Sequence, residues 1–140
     1  RDSIAAGRST FLVELSEAAA LLRRATRRSL AALDELGRGT STLDGAAVAH
    51  AVLRALASRG CAGLFSTHYH FLASEAEGPQ GEHLALGHMA CREEEGKGVT
   101  FLYRLAPGAC PRSHGVNVAR MAGLPVSVVA RAAQRGAEAE

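Results

Sequence analysis

Two adjacent carboxylates, Asp34 and Glu35, close an apolar run and lead directly into a glycine-rich turn, in the stretch Ser29-Leu30-Ala31-Ala32-Leu33-Asp34-Glu35-Leu36-Gly37-Arg38-Gly39-Thr40-Ser41-Thr42. That order suits the metal-and-water half of a nucleotide-hydrolysing site. In open α/β sheets ligands sit beyond the carboxyl ends of the strands, and side chains alternate in direction along an extended backbone. The two acids are therefore expected to divide the work: Asp34 holding Mg2+, usually through water, and Glu35 turned toward the water that attacks a γ-phosphate. Neighbouring carboxylates repel, so a cation between them makes sense of the pair. An Asp-Glu pair alone is better described as an acidic surface turn after a buried strand. The glycine-rich context is what favours chemistry.

A phosphate-cradling loop has the pattern G-x-x-x-x-G-K-[ST], and no window of the chain carries it. The one Gly-Lys pair, Gly96-Lys97, is followed by Gly98 in a charged turn. The first residue is Arg1 rather than Met, so a piece of a longer polypeptide is expected, with its phosphate loop upstream.

The elements that must position the acids follow from periodicity and caps. Ser9 and Thr10 precede a segment in which Phe11, Leu15, Ala18, Leu22 and Ala25 recur at spacings of three and four, which predicts an amphipathic helix over 10–28. Glu14 and Glu17 near its start, and Arg23, Arg24, Arg27 and Arg28 near its end, would complement the helix dipole. The arginines read as a solvated helix end. Asp44 is expected to cap a second helix over 45–59, with Val48, Val52 and Leu56 on one face and a stop at Gly60. The next strand, 63–66, leads into Thr67-His68-Tyr69-His70. A parallel, right-handed connection would put His68 on the same sheet edge as Asp34, although a histidine after a strand is commonly structural. His68 and His70 lack a nearby third residue to make a metal site.

Residues 75–82 read as a polar loop. Segments 83–91 and 99–105 could pair as a hairpin around a solvated charged turn over 93–98. Pro107 to Pro111 resembles a linker. Helices near 113–122 and from Pro125 onward, broken at Gly123-Leu124, give a helix-turn-helix outline. The second helix offers few groups for reading bases, and Val126, Val129, Ala130 and Ala133 suit a packing or partner surface instead.

Composition sets broader limits. The 140 residues, 47% of them apolar, suit one domain with a real core, and a net charge of +2 is too small to propose nucleic-acid binding by charge alone. Cys61, Cys91 and Cys110 are odd in number and widely spaced, against a disulfide framework or zinc site and in favour of a reducing compartment. No apolar run reaches the roughly 18 residues of a membrane span, and no signal peptide opens the chain.

Four blocks, in order, resemble the carboxyl-terminal ATPase domain of the MutS family of DNA mismatch-repair proteins: residues 9–15 (STFLVEL), 33–45 (LDELGRGTSTLDG), 65–70 (FSTHYH), and 113–120 (SHGVNVAR) with Ala122-Gly123-Leu124-Pro125. The likeness spans nearly the whole chain. Residues 87–91, 101–105 and 107–111 look most like the eukaryotic mismatch-sensing branch, MutS homologue six.

The resemblance implies an α/β fold: part of a P-loop, ABC-type ATPase domain over 1–111, its mostly parallel sheet flanked by helices, then a helix-turn-helix dimerisation segment over 112–140. It implies ATP and Mg2+ as cofactors, with Asp34 as the Walker B aspartate on the metal, Glu35 as the catalytic glutamate and His68 as the switch histidine at the γ-phosphate. Gly37, Gly39, Thr40 and Ser41 fall in the D-loop. Ser9, Thr10 and Phe11 fall in the signature loop, which faces ATP bound on a partner subunit. A helix of about 28 Å at 1.5 Å per residue would set Ser9 far from its own acids. The implied partners are a second MutS-family subunit, as a heterodimer, and mismatched double-stranded DNA through domains outside this chain. No membrane is implied, and the implied location is nuclear. The implied activity is ATP hydrolysis in the full-length dimer, coupled to dimer closure on DNA; this piece alone, lacking the phosphate loop, is expected to be inactive. Two other readings are a non-catalytic dimerisation module and another ABC-like ATPase of chromosome maintenance. His114 stands where an aromatic residue is usual, and Leu43 where Phe or Tyr is common.

Overall fold

The computed structural model describes residues 9–77, 83–94, 98–110 and 113–138. They divide into two compact units, one up to residue 84 and one from residue 85.

In the first unit, helix α1 spans Thr10–Arg24 and is capped by Ser9, whose hydroxyl accepts the Leu12 N–H at 3.2 Å. It stops short of the residue 28 expected from periodicity because Thr26 and Ser29 offer the backbone local partners. Ser29 Oγ accepts the Thr26 N–H at 3.0 Å and Thr26 Oγ1 accepts the Arg28 N–H at 3.3 Å, closing a turn that competes with another helical turn. Arg23 and Arg24 therefore lie in the last turn of α1 and Arg27 and Arg28 beyond it, while neither Glu14 nor Glu17 is in its first turn.

Strand β1 (Leu30–Asp34), helix α2 (Thr42–Arg59) and strand β2 (Ala62–Ser66) form the expected strand-helix-strand unit. The strands pair in parallel, with Leu30 opposite Ala62 and Asp34 opposite Ser66. Helix α2 begins three residues earlier than Asp44 would place it. Ser41 is the cap: its Oγ accepts the Asp44 N–H at 3.3 Å and donates to Asp44 Oδ2 at 2.8 Å. Gly60, at φ 65°, ends the helix in the left-handed conformation.

Ala18, Ala31, Leu36, Val52 and Leu56 form one buried cluster, with Leu15, Leu22 and Val48 packed against it. Ala46 and Ala49, on another face of α2, form a second cluster with Tyr69 and Leu72. Leu72 anchors a short helix, α3 (Phe71–Glu77), where a polar loop was expected to begin; residues 78–82 of that expectation lie outside the described residues. The mostly parallel sheet expected from the resemblance amounts, among the described residues, to this two-stranded pair.

The second unit opens with an antiparallel hairpin, β3 (Gly87–Glu94) and β4 (Gly98–Pro107). Both strands outrun their expected bounds, so Glu93 and Glu94 belong to β3 rather than to the turn, of which 95–97 lie outside the described residues. Met89 pairs with Leu105 but Cys91 with Phe101, so Leu102, Tyr103 and Arg104 face the single Ala90. This bulge holds Tyr103 at φ 52°.

Helix α4 (Gly115–Met121) ends at Gly123, φ 80°, where the Gly123 and Leu124 N–H groups return to the carbonyls of Arg120 and Ala119. Helix α5 (Val126–Ala137) follows, with Pro125 as its cap rather than its first residue. On α5 Val129 is buried, whereas Val126 is 85% exposed and Ala130 and Ala133 are exposed. The expected linker contributes Pro107 to β4, and Pro111 lies outside the described residues.

Candidate functional site

The parallel register brings the carboxyl ends of β1 and β2 together, so Asp34 and Ser66 stand side by side. The Ser66 hydroxyl donates to Asp34 Oδ1. The chain then turns sharply: Glu35 adopts φ 49°, a left-handed conformation costing a non-glycine residue roughly 1 kcal/mol or more. Its N–H is held by the Ser66 carbonyl at 3.1 Å and the Ser66 hydroxyl at 3.3 Å. The Glu35 side chain faces two basic residues: Arg38 donates to Oε2, and His68 Nδ1 lies 4.0 Å from Oε1. That second separation suits a bridging water. Arg38 is 72% exposed, and an ion pair of that kind opens at little cost. Asp34, Glu35 and His68 thus share one sheet edge, while His70 is exposed beside them.

The glycines of the turn allow close approaches of backbone to backbone and side chain. Gly37, buried at φ 97°, donates its N–H to Glu14 Oε1 at 2.8 Å, and its carbonyl accepts the Tyr69 hydroxyl at 3.0 Å. It also lies against the first turn of α2. A Cβ on Gly37 would sit 2.4 Å from the Gly45 carbonyl oxygen, and one on Gly45 would sit 2.1 Å from that of Gly37. A Cβ on Gly39 would meet Phe11 Cβ at 2.9 Å. Ser9 and Ser41 are helix caps, Thr10 opens α1, and Thr40 is exposed in the turn. The contact of Phe11 with Gly39 puts the first turn of α1 beside the turn that follows Glu35.

Sequence reasoning missed Glu14, Ser66, Tyr69, Gly45 and Arg38 as parts of this arrangement. One signal was available: a buried glycine-rich turn exposes backbone groups that must find partners. Leu43 is 84% exposed, and in the second unit His114 Nε2 lies 2.9 Å from Cys91 Sγ, a polar contact that an aromatic hydrocarbon ring would not make.

Asp34 and Ser66 are hard oxygen donors. Among the described residues no three His, Cys, Asp or Glu side chains form a metal cage, so a cation here would draw most ligands from water and phosphate, as Mg2+ does.

The family description "MutS domain V" matches residues 1–140. The DNA mismatch repair protein MSH6 of Arabidopsis thaliana is 54% identical over 145 residues, covering all of this chain and 11% of the relative. MutS of Roseiflexus sp. (strain RS-1) is 51% identical, covering all of the chain and 13% of the relative. Msh6 of Homo sapiens is 47% identical over 99% of the chain and 11% of its own length. The chain thus spans about an eighth or less of these relatives.

Proposed function

The chain belongs to the MutS family through its domain V, and from that premise we propose that it supplies half of an ATP-hydrolysing site in a dimeric DNA mismatch-repair protein. The observation carrying this reading is the juxtaposition of Asp34, Ser66, Glu35 and His68 at the carboxyl ends of a parallel strand pair. Asp34 and the Ser66 hydroxyl would hold Mg2+, which when bound neutralises phosphate charge. Glu35 takes the proton of the attacking water at its carboxylate, once Arg38 has released it. His68, facing the same carboxylate, orients that water and meets the γ-phosphate. Ser9, Thr10 and Phe11, at the amino-terminus of the 15-residue α1, present N–H groups and hydroxyls suited to an anion on a partner subunit. Gly37, Gly39, Thr40 and Ser41 shape the turn between these two faces.

The phosphate-cradling loop, mismatched DNA binding and closure on DNA belong in this reading to other parts of the full-length protein. A second MutS-family subunit completes the dimer, and the exposed apolar side chains of α4 and α5, Met121, Val126 and Val128 among them, suit that contact. A nuclear location goes with the eukaryotic branch; 51% identity to a bacterial MutS leaves that choice resting on residues 87–91, 101–105 and 107–111. The test is Glu35→Gln in the full-length dimer. ATP and Mg2+ binding are retained while hydrolysis falls about 10²- to 10⁴-fold, the contribution of a positioned general base. Unchanged turnover removes Glu35 from the chemistry.

A further inference from the structure

We propose that Glu14 and Tyr69 are positioning residues that fix Glu35 by holding both backbone polar groups of Gly37; this deepens the reading of Glu35 as the base and rests on it. A left-handed residue stays in place only when its neighbours over-determine it. On the amino side Glu35 is fixed by the β1 ladder and by the bonds of its N–H to Ser66. On the carboxyl side the chain passes through buried Leu36 to Gly37, whose lack of a Cβ makes it the freest point of the turn. Without outside contacts Gly37 would be a hinge two residues from the base.

Two side chains from distant parts of the chain remove that freedom. Glu14 reaches from the second turn of α1 to accept the Gly37 N–H at 2.8 Å, across 23 residues of sequence. A carboxylate accepting an N–H makes a stronger bond than a neutral acceptor does. Tyr69, 6% exposed, donates its hydroxyl to the Gly37 carbonyl at 3.0 Å, and its ring lies 4.2 Å from that of His68. One tyrosine thus ties the turn carrying Glu35 to the neighbouring residue His68. Helix α1 also bears Phe11, which packs against Gly39. The helix opening with Ser9 is therefore joined to the Glu35 turn at two points, and a change in its position is transmitted to the base.

The experiment is a cycle of variants in the full-length dimer, read as steady-state ATP hydrolysis with kcat and KM separated. Glu14→Ala lowers kcat about 10- to 100-fold, the usual loss when a supporting partner is removed, and leaves KM for ATP near its original value. Glu14→Gln, whose amide oxygen still accepts the N–H, recovers most of that loss. Tyr69→Phe, which removes only the hydroxyl, lowers kcat in the same way. Because both residues act through Glu35, Glu14→Ala adds little further loss in a Glu35→Gln background. A slow Glu35→Gln enzyme in which the Glu14→Ala loss is multiplied in full overturns the positioning role alone. So does a Glu14→Ala enzyme with normal kcat. Unchanged turnover in Glu35→Gln overturns instead the reading on which the proposal rests.

Discussion

Glu35 and Tyr103 share a backbone conformation and little else. Both are non-glycine residues at positive φ, 49° and 52°, one after a parallel strand and one within an antiparallel hairpin. Around Glu35 the conformation is imposed from outside: Ser66 holds its N–H, Leu36 is buried, and Gly37 is held by Glu14, Tyr69 and the close approach of Gly45. Around Tyr103 it is absorbed by the chain itself, through two surplus residues on β4 and an 85% exposed side chain. Strain enforced by contacts from separate elements marks a place where a side chain must point in one direction. Strain absorbed by a bulge bends a strand.

Three substitutions sharpen or break that contrast. The largest effect is expected at Gly45, where a methyl group would lie 2.1 Å from the Gly37 carbonyl oxygen. Backbone faces backbone there, so Gly45→Ala should lower stability by about 3 kcal/mol or more, measured by denaturant unfolding, with loss of hydrolysis. A loss below about 1 kcal/mol would show that the turn gives way easily and is not imposed. Ser66→Ala comes next. It removes the hydroxyl shared by Asp34 and the Glu35 N–H but leaves the Ser66 carbonyl bonded, so about 1 kcal/mol is expected. A raised Mg2+ requirement in the full-length protein should accompany it, and an unaltered Mg2+ titration counts against Asp34 as the ion's holder. The smallest effect is expected at Tyr103→Gly. Relief of the left-handed cost is offset by greater freedom of the unfolded chain, giving a net change under about 1 kcal/mol. A loss matching that at Gly45 would erase the distinction between the two regions.

How much was legible in the sequence follows the distance over which each signal acts. The order of strand, acidic pair, glycine turn, helix and strand was readable because each piece has a local signature, such as the apolar run to Leu33 or Gly60 after α2. Local competition was harder. Periodicity carried α1 on to residue 28, whereas the hydroxyls of Thr26 and Ser29 end it at Arg24. At the start of α2 two capping residues stood three apart, and Ser41 rather than Asp44 took the cap, drawing Asp44 in as its reciprocal partner. Helix α3 was missed because its anchor, Leu72, is buried against α2 rather than marked by any period of its own. The bonds of Glu14 and Tyr69 to Gly37, 23 and 32 residues apart in sequence, were out of reach. A single chain shows that a buried turn needs partners without showing which distant side chains supply them.

The bond from the Gly37 amide to Glu14 has a consequence for observing this protein at work. Amides within β1 and α2 are protected from hydrogen exchange by ladder or helix bonds, and they exchange through openings of those elements. The Gly37 amide hangs on a side-chain carboxylate alone, so it can exchange when that one contact lets go while the strand and both helices stay intact. It is a clock for the one contact between α1 and the turn. On the function proposed above, nucleotide, hydrolysis and partner would all act on the few residues after Asp34, and the exchange rate of this single proton would separate motion of that turn from loosening of the domain around it.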